Sequence, residues 1–172
     1  MYQHLILSIM LAAPVAAQTP ATQKPAAGAT QKPAAPGEKP AADAKGVRTI
    51  EIVGTEDMKY SVATITAKPG EQLRVRLTSK GAMPKIAMAH NFVLLNRKAN
   101  VTDFVTAAMN ARATDFIPAD KKADVIAHTG LAGAGETVEV TFKVPAAAGD
   151  YPYLCSFPGH FQAQMKGTLT VK

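Results

Sequence analysis

From residue 47 to residue 172 apolar and polar positions alternate in short runs. Ile50 and Ile52 alternate with Thr49 and Glu51, and Leu73, Val75 and Leu77 with Arg74, Arg76 and Thr78. Val138, Val140, Phe142 and Val144 alternate with Glu139, Thr141 and Lys143, and Leu169 and Val171 close the chain between threonines. A period of two means that each run is a strand with one face turned inward. Turn-forming clusters separate the runs: Lys68-Pro69-Gly70, Ser79-Lys80-Gly81, Gly130 to Gly135 and Ala148-Gly149-Asp150. Many short strands with few helices predict a β-sandwich or barrel.

One stretch departs from this period. Val101, Phe104, Val105, Ala108 and Met109 recur at three- and four-residue intervals, which predicts an amphipathic helix of about three turns over residues 101–112. Asp103 near its start and Arg112 near its end match the helix dipole. The helix is placed in a long connection between strands.

The pattern does not extend to the first part of the chain. Leu5 to Ala13 is an apolar run followed by Val15-Ala16-Ala17, small residues suited to secretory cleavage, although Met1 to His4 carries no Lys or Arg. The run is shorter than the about 20 apolar residues that a membrane-spanning helix needs. Residues 1–17 are therefore expected to be a signal peptide, with an uncleaved anchor as the alternative. Residues 18–46 consist almost wholly of Ala, Pro, Lys, Gln, Thr and Gly, and Ala21–Ala27 repeats as Ala29–Ala35. Such a composition buries too little apolar surface to offset the entropy of ordering, and predicts a disordered linker reaching about 90 Å when extended. Residues 47–172 form a single domain.

Charge narrows the function classes. The domain holds 15 Lys and Arg against 11 Asp and Glu, scattered and without a basic cluster, which argues against nucleic-acid binding. Cysteine usage narrows them further. With one Cys in 172 residues no internal disulfide can form, and an exported free thiol calls for burial or a metal.

That cysteine opens the run Cys155-Ser156-Phe157-Pro158-Gly159-His160, and Met165 follows five residues later; His90 lies upstream in Met88-Ala89-His90-Asn91-Phe92. One thiolate, two imidazoles and a thioether make the ligand set of a blue copper site. Soft sulfur suits Cu(I) and imidazole suits Cu(II), so a geometry between their preferences favours electron transfer. Zinc would want a fourth strong donor where this chain offers a thioether. A dinuclear purple copper site would need a second Cys. A multicopper enzyme would need more histidines, and His128, in Val125-Ile126-Ala127-His128-Thr129, is the one further His in the domain. It reads as a surface imidazole, with proton-linked redox change as the alternative. Pro158-Gly159 provides the tight turn of the ligand loop.

Over residues 55–172 the chain resembles azurin, of the cupredoxins. The resemblance is carried by Met88-Ala89-His90-Asn91-Phe92-Val93-Leu94, Val125-Ile126-Ala127-His128-Thr129, Cys155-Ser156-Phe157-Pro158-Gly159-His160 and Met165-Lys166-Gly167-Thr168-Leu169-Thr170-Val171-Lys172. It implies an all-β, cupredoxin-like Greek-key sandwich of about eight strands, with one short helix in a long connection. It implies one copper ion with His90, Cys155 and His160 as equatorial ligands and Met165 as the axial one. The Ala89 carbonyl would approach from the opposite side, Asn91 would bridge the two ligand loops, and the amides of Asn91 and Phe157 would point at the sulfur. Three departures stand out. Four residues separate His160 from Met165 where azurin has three, an auracyanin-like spacing that leaves Gln164 as an alternative axial ligand. Ala89 replaces the usual Gly, and azurin's disulfide is missing.

The functional expectation is a periplasmic one-electron carrier cycling Cu(I) and Cu(II), not an enzyme, with no small-molecule substrate and no nucleic acid. Its partners would be redox proteins that dock transiently on an apolar rim of Met83, Pro84, Met88, Pro158 and Phe161 around His160, the electron portal. Membrane contact is expected only if the first segment is retained. A copper buffer or delivery protein is the alternative.

Overall fold

The computed structural model describes residues 46–172. The expected signal segment, and all of the expected linker except Gly46, lie outside the described residues. In chain order the strands are β1 (Val47–Thr55), β2 (Lys59–Tyr60), β3 (Thr64–Ala67), β4 (Gln72–Lys80), β5 (Val93–Leu95), β6 (Val125–His128), β7 (Thr137–Lys143), β8 (Gly149–Leu154) and β9 (Lys166–Val171). They form a four-stranded sheet, β2-β1-β4-β7, and a five-stranded sheet, β3-β9-β8-β5-β6. This is the expected sandwich, with nine strands among the described residues rather than about eight.

The alternating runs become the inner faces. β1 pairs with β4 in parallel, Ile50 opposite Val75 and Ile52 opposite Leu77, and β4 pairs with β7 antiparallel. Leu73, Val75 and Leu77 are fully buried and share the core with Phe92, just before β5, and with Leu94, Tyr153 and Leu169 of the other sheet. Each such side chain contributes about 2 kcal/mol through the apolar surface it removes from water. On β7 only Phe142 is buried, while Val138 and Val140 stay half-exposed, because β7 is the edge of its sheet.

β5 carries no alternation, since all three of its residues are buried. Leu94 faces the main core, whereas Val93 and Leu95 join a second cluster with Phe104, Val105, Ile117 and Leu154. The helix α1 (Val101–Ala108) supplies Phe104 and Val105 to that cluster. Its N-terminus is capped by Asn100, whose side chain accepts from the Asp103 N–H at 3.2 Å. The helix is shorter than expected. After Ala108 the N–H groups of Asn110 and Ala111 turn to carbonyls three residues back, and a 3-10 turn over Arg112–Thr114 follows. Arg112 is therefore not in the last turn of α1. Asp115 and Phe116 then adopt left-handed backbone, φ 53° and 61°. The reversal sends Phe116 and Ile117 back into the protein. Left-handed backbone is costly for a bulky residue such as Phe116 and persists only where its surroundings hold it.

At the far end of the sandwich Arg48 Nε donates to Glu71 Oε1 at 2.5 Å and Arg48 Nη2 to the Thr66 carbonyl at 2.8 Å. The Lys68 N–H donates to the other Glu71 oxygen at 2.8 Å, so one carboxylate ties β1 to the turn before β4. The Arg48 hydrogen bond holds the Glu71 carboxyl below its ordinary range, against the opposing effect of burial. A depressed carboxylate stabilises the fold above the unfolded-state value, and that stabilisation is lost as pH falls through the folded value. Glu71→Gln is expected to cost about 1 kcal/mol at neutral pH and almost nothing at strongly acid pH, read by denaturant titration at both.

Candidate metal centre

Three strand ends and two loops build the site. Cys155 directly follows β8, Met165 directly precedes β9, and the Cys155 N–H donates to the Met165 carbonyl at 3.0 Å, extending the β8–β9 ladder by one step. His90 stands before β5 and exchanges backbone hydrogen bonds with Ala132. The turn from Cys155 to Met165 is closed by the His160 N–H to the Phe157 carbonyl and the Met165 N–H to the His160 carbonyl. Gln164 takes left-handed backbone, φ 75°, which accommodates the four-residue spacing.

This arrangement brings His90, Cys155 and His160 together. Their potential ligand atoms all lie within 4.8 Å of one another, and all three residues are buried. The two Nδ1 atoms are 3.2 Å apart, and His160 Nδ1 is 3.4 Å from Cys155 Sγ. Met165 is fully buried. A Cβ added at Gly54 would come within 2.8 Å of His90 Cδ2 and 3.0 Å of Met165 Cε, which places that thioether methyl beside the imidazole. Gln164 is exposed, its amide donating to the Gln162 carbonyl. His128 lies apart from the cluster, exposed at the end of β6, with Nδ1 3.1 Å from the Thr129 carbonyl.

Of the neighbouring residues, Asn91 forms the expected bridge. The Ala89 carbonyl is 4.0 Å from Cys155 Sγ. Asn91, fully buried, bridges the two loops: its Oδ1 accepts from the Ser156 N–H at 2.9 Å, and its Nδ2 donates to Ser156 Oγ at 2.9 Å. The same Nδ2 reaches the Asp115 carbonyl at 3.1 Å, tying in the left-handed corner whose Phe116 ring packs edge-on against Phe157. The backbone amides of Asn91 and Phe157 favour the charged form of the sulfur.

Electrostatics prepares these groups for a metal. Burial pushes the Cys155 thiol up to about 12, the two amides pulling the other way. Burial, and then the neighbouring His90, bring His160 down to about 4. His90 is lowered by burial, opposed by the charge of Glu56. Both imidazoles therefore stay neutral with lone pairs available, and a metal need displace only the thiol proton. His90 Nε2 is buried without a hydrogen-bond partner, so His90 faces its neighbours through Nδ1 alone. One soft sulfur, two imidazole nitrogens and a nearby thioether are the donor set that suits copper and ill suits zinc.

Sequence reasoning missed Gly54, Lys59, Tyr60 and the Asp115–Phe116 corner. Lys59 donates to the Ala163 carbonyl, and the Tyr60 hydroxyl to the Asn91 carbonyl at 2.5 Å. These contacts span 104 and 31 residues, and a two-residue strand carries no periodicity that would disclose them.

A two-sheet sandwich with Cys, two His and Met gathered at one end defines a copper-binding cupredoxin. The model of the family described as copper binding proteins, plastocyanin/azurin family, matches residues 48–172, and the chain belongs to that family. It is similar to azurin of Pseudomonas denitrificans, 42% identical over 127 residues that cover 72% of this chain and 98% of that protein. It is also similar to auracyanin-B of Chloroflexus aurantiacus, 35% identical over 153 residues covering 88% of this chain and 63% of that protein. Among solved structures, auracyanin A of Chloroflexus aurantiacus, a "blue" copper protein, superposes with a TM-score of 0.65 at 35% identity, covering 74% of this chain and all of that one. Among the described residues no helix is long and apolar enough to cross a membrane.

Proposed function

We propose that this chain is a type 1 copper electron-transfer protein, holding one copper ion between His90, Cys155, His160 and Met165 and passing single electrons between protein partners. The observation that carries the reading is the meeting of one thiol and two Nδ1 atoms within 4.8 Å in a buried pocket at one end of the sandwich. Copper bound there supplies a one-electron couple. The protein's part is to keep the imidazoles neutral, exclude water from the sulfur and hold the ligands on strand ends that do not rearrange. Amides that favour the thiolate and the Asn91 bridge tune and fix that geometry. The absorption and spin-resonance spectra of the copper-loaded protein test the reading, a colourless and electrochemically silent product overturning it.

Burial favours Met165 as the axial donor, since Gln164 faces solvent. Cu(II) gains more from a fourth donor than Cu(I), which is satisfied with three, so Met165→Leu is expected to raise the reduction potential while Gln164→Ala leaves it in place, read by voltammetry. Partners would dock over His160, itself 2% exposed, on a rim where Met83, Pro84 and Pro158 are exposed and Met88 and Phe161 half-buried. Residues 1–17 would direct export to the periplasm and be removed, leaving 18–46 ahead of the copper domain in the mature chain. The mass of the mature protein checks that cleavage.

A further inference from the structure

The loop that follows β4 carries Met83, Pro84 and Met88 of the docking rim and runs directly into His90. Every residue from Lys80 to Ala87 is exposed, Met83 to 42% and Ile86 to 72%. The loop therefore buries almost nothing that would hold its shape. Within it the Ala87 and Met88 N–H groups both donate to the Pro84 carbonyl, at 2.9 and 3.0 Å, which closes a turn without attaching it to the domain.

Attachment comes from two carboxylates. Glu56, directly after β1, accepts at Oε1 from the Ala82 N–H at 2.7 Å and from the Met83 N–H at 2.8 Å. Successive N–H groups turned to one side form a concave seat for an anion. Gly81 leaves the space for it, since a Cβ there would lie 2.6 Å from both Cγ and Cδ of Glu56. The bonds from Met83 and then Ala82 hold the Glu56 carboxyl below its ordinary range, so the charged form grips the loop. Glu136 Oε2 accepts from Lys85 Nζ at 2.6 Å and from the Gly133 N–H at 2.9 Å. Among the described residues, the bonds of Ala82, Met83 and Lys85 to these carboxylates are the hydrogen bonds that join residues 81–88 to other segments. The Lys85 bond ends on a long, half-exposed side chain, whereas Glu56 holds the backbone itself beside Met83.

We propose that Glu56 is a positioning residue for electron exchange: its carboxylate seats the backbone at Ala82 and Met83 and so keeps Met83 and Pro84 on the docking rim. This rests on the docking reading above and adds to it a residue outside the rim. A loop fixed beforehand spares the encounter the cost of ordering it. Two substitutions separate the grip from the charge. Glu56→Gln and Glu56→Ala remove the same negative charge, but the glutamine amide oxygen still accepts from both N–H groups and alanine offers nothing. Glu71, at the far end of the sandwich, is the control for stability, because Glu71→Gln loosens the fold away from the loop.

The experiment measures electron self-exchange in the copper-loaded full chain, a second copy of the protein serving as partner. Glu56→Ala is expected to exchange about fivefold more slowly than Glu56→Gln, and Glu71→Gln to match the unaltered protein. In the metal-free proteins hydrogen exchange at the Ala82 and Met83 amides is expected to quicken about tenfold in Glu56→Ala and to stay close to the original in Glu56→Gln. The proposal is overturned if the two Glu56 variants exchange electrons equally fast, or if Glu56→Ala leaves both amides exchanging as before. Met83→Gln tests the docking reading separately. Should it leave self-exchange unchanged, the rim is not the contact surface and that reading fails, while the two amides still decide whether Glu56 seats the loop.

Discussion

Cys155→Ser is expected to abolish the intense visible band and the reversible couple of the copper-loaded protein while leaving its fold in place. A serine hydroxyl is a hard, weakly acidic donor that does not support Cu(I), and it cannot supply the charge transfer from sulfur that produces the colour. The structural cost is small. The backbone N–H of residue 155 keeps its bond to the Met165 carbonyl, and the sulfur's own protein contacts are long, 3.4 Å to His160 and 4.0 Å to Ala89. Loss of the buried sulfur should cost about 1 kcal/mol. Far-ultraviolet circular dichroism should therefore match that of the unaltered protein while absorbance and voltammetry do not. A variant that stays blue would remove the thiolate from the site.

The second large effect is expected at Asn91, and it falls on stability. Asn91→Leu keeps the volume but deletes three hydrogen bonds of a fully buried side chain: two buried ones, from the Ser156 N–H and to Ser156 Oγ, and a half-buried one to the Asp115 carbonyl. The buried Ser156 N–H is left without this partner, at about 1–3 kcal/mol, while the carbonyl of the exposed Asp115 loses a bond worth about 1 kcal/mol. The corner at Asp115 and Phe116 also loses an anchor, and relief of its left-handed backbone returns part of the cost. A net loss of about 3 kcal/mol is expected, which for a domain of this size lowers Tm by about 10 °C. Calorimetry of the metal-free protein reads it directly. A drop of only a few degrees would show that the two ligand loops are held together by their strands rather than by this amide.

These two positions differ in how visible they are along the chain. Cys155, His160 and Met165 are close in sequence, and only copper chemistry makes sense of that residue set at that spacing. Asn91 is legible through the resemblance of its motif. The alternation in β1, β4 and β9 is legible because each has one face on the core and the other toward solvent. β5 is not, since helix α1 covers its second face and erases the contrast between neighbouring positions. The helix was read as far as Arg112 because the apolar period runs on through Met109. Its end at Ala108 follows from the chain turning back at Asp115 and Phe116, a conformation that no residue type there announces.

The sequence by itself determined the run of strands between residues 47 and 172, the copper-suited set of one thiol, two imidazoles and a thioether, and the loop that carries three of the four. Local periodicity and donor chemistry suffice for those. Only the tertiary structure decided which side chain of the Gln164–Met165 pair turns inward, how Asn91 joins three segments, and that Tyr60 and Lys59 on a two-residue strand reach both ligand loops. Those outcomes depend on contacts between residues far apart in the chain, where the packing of two sheets, rather than any local preference, sets which groups meet.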